Sequence, residues 1–220
     1  MKIIDCGVID FHQALLLQEK LVTGIASGHA EETLLLLEHP PVYTIGRGGD
    51  RANILDDTIA AERINRGGDV TWHGPGQVVG YPLVNLDRRG RDLHRWLRFL
   101  EELLAATLNA FGINGRSFPG CTGVWAGHGK IAFIGVGVRR WITMHGFSIN
   151  VHPDLRAYDR INPCGLAGCP VTSMALEKPE SPTQAEVSQY LQKVFDRFLN
   201  ERLPYKHPPC KHPQALALSP

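Results

Sequence analysis

An α+β fold is predicted, with a mixed, largely antiparallel sheet against which helices pack. Three observations predict it. Strand-like and helix-like segments do not alternate in strict βαβ order. Short apolar runs separated by Gly- and Pro-rich turns crowd the middle of the chain. Three longer segments carry apolar residues at helical spacing. The 220 residues suit a single domain over 1–203, with the Pro-rich stretch 204–220 read as a disordered tail.

The elements follow in order. "MKIIDCGV" opens as a strand. Residues 10–28 read as a helix, with Asp10 as N-cap, Gly28 past its end, and Phe11, Leu15, Leu21, Val22 and Ile25 as the apolar stripe. "TLLLLEH" and "VYTIG" are two strands parted by Pro40 and Pro41. "VVGYPLVNL" is a strand in which Pro82 predicts an edge position or a bulge. The clearest helix starts after Asp92 and ends at Gly112, with Leu93, Trp96, Leu97, Leu100, Leu104, Leu108 and Phe111 on one face. Residues 123–151 read as antiparallel strands with a turn at Arg139 and Arg140. For the last helix, Ser181 and Gln184 predict a capping box with Pro182 at the first helical position, and Val187, Leu191, Val194 and Phe198 facing inward.

Composition narrows the function. With 43% hydrophobic and 20% charged residues, the chain resembles an ordinary globular protein. Its 23 basic and 22 acidic residues leave a formal net charge of +1, so no basic excess exists to neutralise nucleic-acid phosphates. No apolar run approaches the ~18 residues of a membrane span, and the N-terminus lacks the pattern of a signal or transit peptide. Neither nucleic acid nor membrane is therefore an expected partner. Five cysteines, an odd number without paired spacing, predict free thiols, the cytoplasm as location, and no metal site.

The stretch "RGGDVTWHGPGQVVGYPLVNL", 66–86, holds five glycines. Glycine permits positive φ and lets backbone approach a neighbour closely. The spacing is neither G-x-G-x-x-G nor a phosphate loop. From these residues alone, a structural turn and a ligand lying against the main chain are equally good readings.

Two further stretches decide between them: "GVWAGHGKIAFIGVGVRRWITMHGFSINV", 123–151, and "DRINPCGLAGCPVTSM", 159–174. Together the three resemble the octanoyltransferases of protein lipoylation. The signature R-G-G-x-x-T-x-H-G-P-G-Q stands complete from Arg66 to Gln77. Lys-Ile-x-x-Ile-Gly spans Lys130 to Gly135, and Asn-Pro-Cys-Gly spans Asn162 to Gly165. A fourth motif runs from His145 to Val151, with Ser148 where the family usually has Ala.

The resemblance implies the fold of the biotin and lipoate protein ligases and a single acyltransferase domain. It implies transfer of an octanoyl group from acyl carrier protein to a lysine of lipoyl domains, those of the 2-oxoacid dehydrogenase complexes and the glycine cleavage H protein. Cys164 would carry the acyl group as a thioester, with Lys130 beside it. Substrate would meet Arg66, Gly67, Gly68, Asp69, Val70, Thr71, Trp72 and His73, then Phe133, Ile134 and Gly135, and Gly146, Phe147 and Ser148.

The chemistry is self-consistent. Thioester to Cys thioester is nearly isoenergetic, and thioester to amide is downhill, so no ATP or other cofactor is implied. The attacking species is a thiolate, which a neighbouring ammonium favours. A lysine acceptor must lose a proton to attack, and a neutral Lys130 can take it. Burying an octanoyl chain contributes roughly 5 kcal/mol, at ~0.8 kcal/mol per CH₂. Gly67, Gly68, Gly74 and Gly76 are expected to line or shape its tunnel.

Rival readings stand beside this one. His73 or His145 is an alternative base for the cysteine. Cys169, Cys121, Cys6 and Cys210 are assigned no role. Arg88, Arg89, Arg91, Arg95 and Arg98 are either a solvated face or a dock for an acidic carrier protein. An ATP-dependent lipoate or biotin ligase shares the glycine-rich loop but does not need the cysteine of Asn-Pro-Cys-Gly.

Overall fold

The computed structural model describes residues 1–206; the remainder of the Pro-rich stretch, 207–220, lies outside the described residues. Strand β1 (Lys2–Val8) leads through Asp10 into helix α1 (Phe11–Ala26). The Asp10 carboxylate accepts the His12 and Gln13 N–H groups, as an N-cap should. The chain returns as β2 (Thr33–Glu38), parallel to β1. After Pro40 and Pro41 it enters a separate three-stranded sheet, ordered β4-β3-β5, from β3 (Val42–Ile45), β4 (Ala61–Arg63) and β5 (Val70–His73).

Strand β6 (Gln77–Leu83) rejoins the main sheet, and helix α2 (Leu93–Ala110) follows. Next come β7 (Arg116–Phe118), β8 (Cys121–Ala126), β9 (Gly129–Arg139) and β10 (Ile142–Asn150). A short helix α3 (Met174–Glu177) and the long α4 (Gln184–Arg202) end the fold. The main sheet is ordered β1-β2-β6-β10-β9-β8-β7, and only its β1–β2 pair is parallel. The predicted α+β architecture is borne out.

Side-chain alternation, with both faces covered, explains why the central strands β6 and β10 are buried at every position. Leu34 and Leu36 of β2 lie under α2 and α4, with Trp96, Phe99 and Phe195. Leu35 and Leu37 lie under α1, with Ala14, Val22 and Ile25. On β9, Ile134 joins the α2–α4 side, whereas Phe133 turns to the small sheet with Val70, Trp72 and Tyr158. The gap between the two sheets lies on this second face.

Several local expectations are corrected. Pro82 is not at an edge, since β6 lies between β2 and β10. The β10 ladder stops at Phe147 opposite Gly80, just short of Pro82. The next facing position, His145, has φ 55° and gives its N–H to Gln18 Oε1 at 2.7 Å. A proline without an N–H is thus tolerated in a central strand because its neighbour's backbone has turned elsewhere. The same bond explains why polar Gln18 is buried in α1 while Leu15 and Leu21 are only half-buried.

The α4 capping box is formed by Thr183 and Glu186, not Ser181 and Gln184. Glu186 brings a carboxylate to the positive helix end, which Gln184 cannot. Its inward stripe is Val187, Leu191, Phe195 and Leu199, one residue on from Val194 and Phe198. Leu93, first in its helix, is exposed. Arg89 is not a surface charge: it is buried and ion-paired with Glu32 at 2.7 Å, which also accepts from Tyr205.

Candidate active site

Lys130 stands at the start of β9, anchored on both sides. Its N–H donates to Pro170 O, and its carbonyl accepts from Thr172 N–H. Its stem packs against Gly123 on β8, with φ 123°. A Cβ there would fall 2.6 Å from Lys130 Cε, so the glycine makes room for the lysine stem. The side chain is 2% exposed. Its ammonium donates to Thr122 O at 2.8 Å and to Cys164 Sγ at 3.2 Å. The Phe133 ring centroid lies 5.0 Å from Nζ.

Cys164 sits in a tight 3-10 turn, Pro163–Gly165, with φ 59° and ψ 21°. A left-handed cysteine is uncommon, and such conformations persist where the surroundings hold them. Here Asn162 N–H donates to Asn53 O at 2.7 Å, and Asn53 Nδ2 donates to Asp69 Oδ2 at 2.8 Å. At Gly165, φ is 72° and a Cβ would lie 2.8 Å from the same carboxylate. Asp69 therefore fixes the turn that presents the sulfur.

From Cys164 a narrow cavity runs between the two sheets. Arg66, Gly68, Asp69, Val70, Thr71 and His73 line it from the small-sheet side. Phe133, Ile134, Gly135, Gly146, Phe147 and Ser148 line it from the main sheet. Gly135 and Gly146 are direct cross-strand partners, as are Phe133 and Ser148. A Cβ on Gly135 would lie 2.9 Å from Arg66 Cδ, and one on Gly146 would lie 2.3 Å from Gly80 O. Phe11, Ile64, Tyr81 and His145 complete the lining. Phe11's place in a helical stripe hides it from a sequence reading, Ile64 and Tyr81 lie just outside the signature, and His145 is one of the two alternative bases named above.

Both cavity histidines are held neutral. Burial, aided by neighbouring His39, lowers His73 to about 3. Burial, aided by Arg66, lowers His145 to about 4. Gln77 Oε1 accepts from His73 Nδ1 at 3.1 Å, while Gln77 Nε2 donates to Asn150 and Tyr158. Asn65 Oδ1 accepts from His145 Nε2 at 2.7 Å. The group bonded to the sulfur is Lys130, and neither histidine is. Arg66 is buried on neutral partners, Thr44 O, Thr44 Oγ1 and Gly67 O. Burial lowers its pKa from the usual range, and the Cys164 charge is the largest influence opposing that.

Several residues singled out by sequence lie elsewhere. Trp72 points to the opposite face of β5 and packs edge-on to Tyr158 at 5.7 Å. Gly67 is exposed, with its N–H on Val136 O. At Gly74 the Trp72 ring fills the space a Cβ would need, and at Gly76 (φ 92°) the 152–153 backbone does. These glycines shape the loop without lining the cavity. Arg88 and Arg91 adjoin the β9–β10 hairpin tip, where Leu86 N–H donates to Trp141 O. That tip lies nine residues along β9 from Lys130, or about 30 Å at ~3.3 Å per residue. Cys6, Cys121, Cys164 and Cys169 are free thiols. Among the described residues no group of three or more His, Cys, Asp or Glu is placed to hold a metal, and no helix is long and apolar enough to cross a membrane.

Residues 10–196 match the family described as the lipoyl protein ligase A/B catalytic domain. An octanoyltransferase of Geotalea uraniireducens is 57% identical, covering 94% of this chain and 96% of its own. One of Geobacter metallireducens is 54% identical, over 93% and 96%. Among solved structures, a lipoate-protein ligase A bound with ATP superposes with a TM-score of 0.68 at 15% identity, covering 94% of this chain and 87% of that one. A biotin protein ligase from Aquifex aeolicus with biotin and ATP gives 0.53 at 16%, over 92% and 70%. At such identities these two speak for the fold alone, and it is the fold predicted from the sequence.

Proposed function

The chain belongs to the octanoyltransferases of the lipoyl protein ligase A/B catalytic family and is an acyltransferase; from that premise we propose that it moves an octanoyl group through a Cys164 thioester. The donor is octanoyl-acyl carrier protein. The acceptor is a lysine of the lipoyl domains of 2-oxoacid dehydrogenase complexes and of the glycine cleavage H protein. The observation that carries this reading is the 3.2 Å contact between the Lys130 ammonium and Cys164 Sγ beside the cavity between the two sheets.

The first half-reaction begins with the Cys164 thiolate attacking the donor carbonyl. The new C–S bond forms as the carbonyl electrons move onto oxygen. Collapse of that oxyanion expels the donor thiolate, which takes up a proton. Lys130 is the cation beside the attacking sulfur, in a pocket where Thr122 O holds its ammonium in place. Releasing a proton to the departing thiol leaves Lys130 neutral.

In the second half-reaction the acceptor amine attacks the Cys164 thioester. Neutral Lys130 takes the amine's proton as the C–N bond forms, and the Cys164 thiolate leaves. The ion pair is thereby restored. No phosphate or nucleotide enters either step, and an adenylating ligase would have no use for the cysteine. The apolar chain rests in the cavity beside Phe133 and Thr71, with the paired glycines Gly135 and Gly146 beneath it.

Lys130→Met tests the assignment. It keeps the stem that fills the space opposite Gly123 but removes the cation and base. Transfer from octanoyl-acyl carrier protein to a lipoyl domain should fall by at least ~10²-fold. Unchanged turnover would contradict it.

A further inference from the structure

Most buried polar groups in folded proteins find a hydrogen-bond partner. Two hydroxyls in this cavity do not. Thr71 Oγ1 and Ser148 Oγ are buried and unpartnered, in residues 7% and 1% exposed. Arg66 Nε is a third unpartnered group in the same lining. An alkyl chain gives none of them anything to bond, so their presence needs another explanation.

Position supplies it. Ser148 stands directly across the sheet from Phe133, whose ring lies 5.0 Å from Lys130 Nζ, and Nζ lies 3.2 Å from the sulfur. Ser148 is therefore on the main-sheet wall, next to the residue whose ring packs on Lys130. Thr71 is on the opposite wall. Val70 and Trp72 of β5 point into the small-sheet core, so alternation turns Thr71 toward the gap, and β5 packs against the Cys164 turn. The two hydroxyls thus face, from opposite walls, the cavity that Cys164 also lines.

We propose that Thr71 Oγ1, assisted by Ser148 Oγ, donates hydrogen bonds to the acyl carbonyl oxygen and to the oxyanion it becomes. This inference rests on the thioester reading above. The same oxygen gains charge when Cys164 attacks the donor and again when the amine attacks the thioester. One pair of donors therefore serves both half-reactions. Being fixed before the charge develops, the donors need no reorganisation when it does. Ser148 stands where the resembling family usually has Ala, so it is the auxiliary donor and Thr71 the principal one.

The test is rapid-quench intact-mass kinetics of Cys164 octanoylation, and of octanoyl transfer onward to a lipoyl domain, in Thr71→Val, Thr71→Ser and Ser148→Ala. Thr71→Val keeps the shape and loses the donor; both rate constants should fall roughly 10²-fold. Thr71→Ser keeps the donor and loses a methyl; it should stay within a few-fold of the unsubstituted enzyme. Ser148→Ala should slow both steps about 10-fold while leaving Tm unchanged or raised, because it removes an unpaired buried hydroxyl. Should Thr71→Val not fold, the Ser148→Ala rates and Tm decide the matter in the same way. Unchanged rates in Thr71→Val and Ser148→Ala, with the Cys164 adduct still forming, would overturn this inference alone. Absence of any Cys164 adduct in the unsubstituted enzyme would overturn the thioester reading and this inference with it.

Discussion

His73 and His145 show what burial does to a single side chain here. An imidazole in the unfolded chain takes a proton near pH 6.5. In the folded chain the two do so only at about 3 and about 4. Between these values the unfolded state holds more protons, so stability is full above about pH 6.5 and is lost as pH falls toward 4. The slope is about 1.4 kcal/mol per pH unit for each histidine. Urea titrations between pH 7 and 4.5 should show this loss, and His73→Gln should flatten it. An equally steep loss in His73→Gln would remove His73 from the account. Cys164 shows a different single-residue effect. Its left-handed backbone is not legible in a sequence, because cysteine has no preference for it; the bonds from Asn162 to Asn53 and from Asn53 to Asp69 impose it.

Among the elements, β10 does the most to shape the site. One stretch of it supplies Gly146 and Ser148 to the cavity and, at His145, a backbone turned away from Pro82. Gln18 of α1 holds that turn by accepting the His145 N–H. Gln18→Ala should leave this amide buried and unpaired, at a cost of about 1–3 kcal/mol, read as a lowered urea midpoint at unchanged m-value. No shift would mean that water takes the place of the side chain. Pro82 was misleading in the sequence for this reason. A proline reports a missing donor, and only the tertiary partner reveals that its neighbour's ladder has a matching gap. The caps at Asp10 and Asp92 and the apolar runs of β2, β9 and β10 were legible, since they depend on local chemistry and on period. A motif names Trp72 with its neighbours in sequence, whereas a strand sends alternate residues to opposite faces, so the Trp72 ring packs on Tyr158 instead of lining the cavity.

At the scale of the molecule, two sheets meet face to face around one cavity, and four sequence motifs converge there from distant parts of the chain. The glycine-rich segment does not mainly provide tunnel walls. Gly74 and Gly76 close its loop against Trp72 and the 152–153 backbone, while Gly68, Gly135 and Gly146 stand at the cavity itself. The basic cluster around Arg88 and Arg91 lies at the end of the sheet remote from Lys130, and Arg89 is spent on a buried pair with Glu32. What remains as the centre of the account is a cysteine that takes the acyl group without nucleotide. The most direct measurement is intact-protein mass after mixing with octanoyl-acyl carrier protein in the absence of ATP, with Cys164→Ala alongside. The account predicts a single octanoyl adduct, removed by hydroxylamine and absent from the variant. No adduct without ATP, together with acceptor labelling once ATP and free octanoate are supplied, would contradict it.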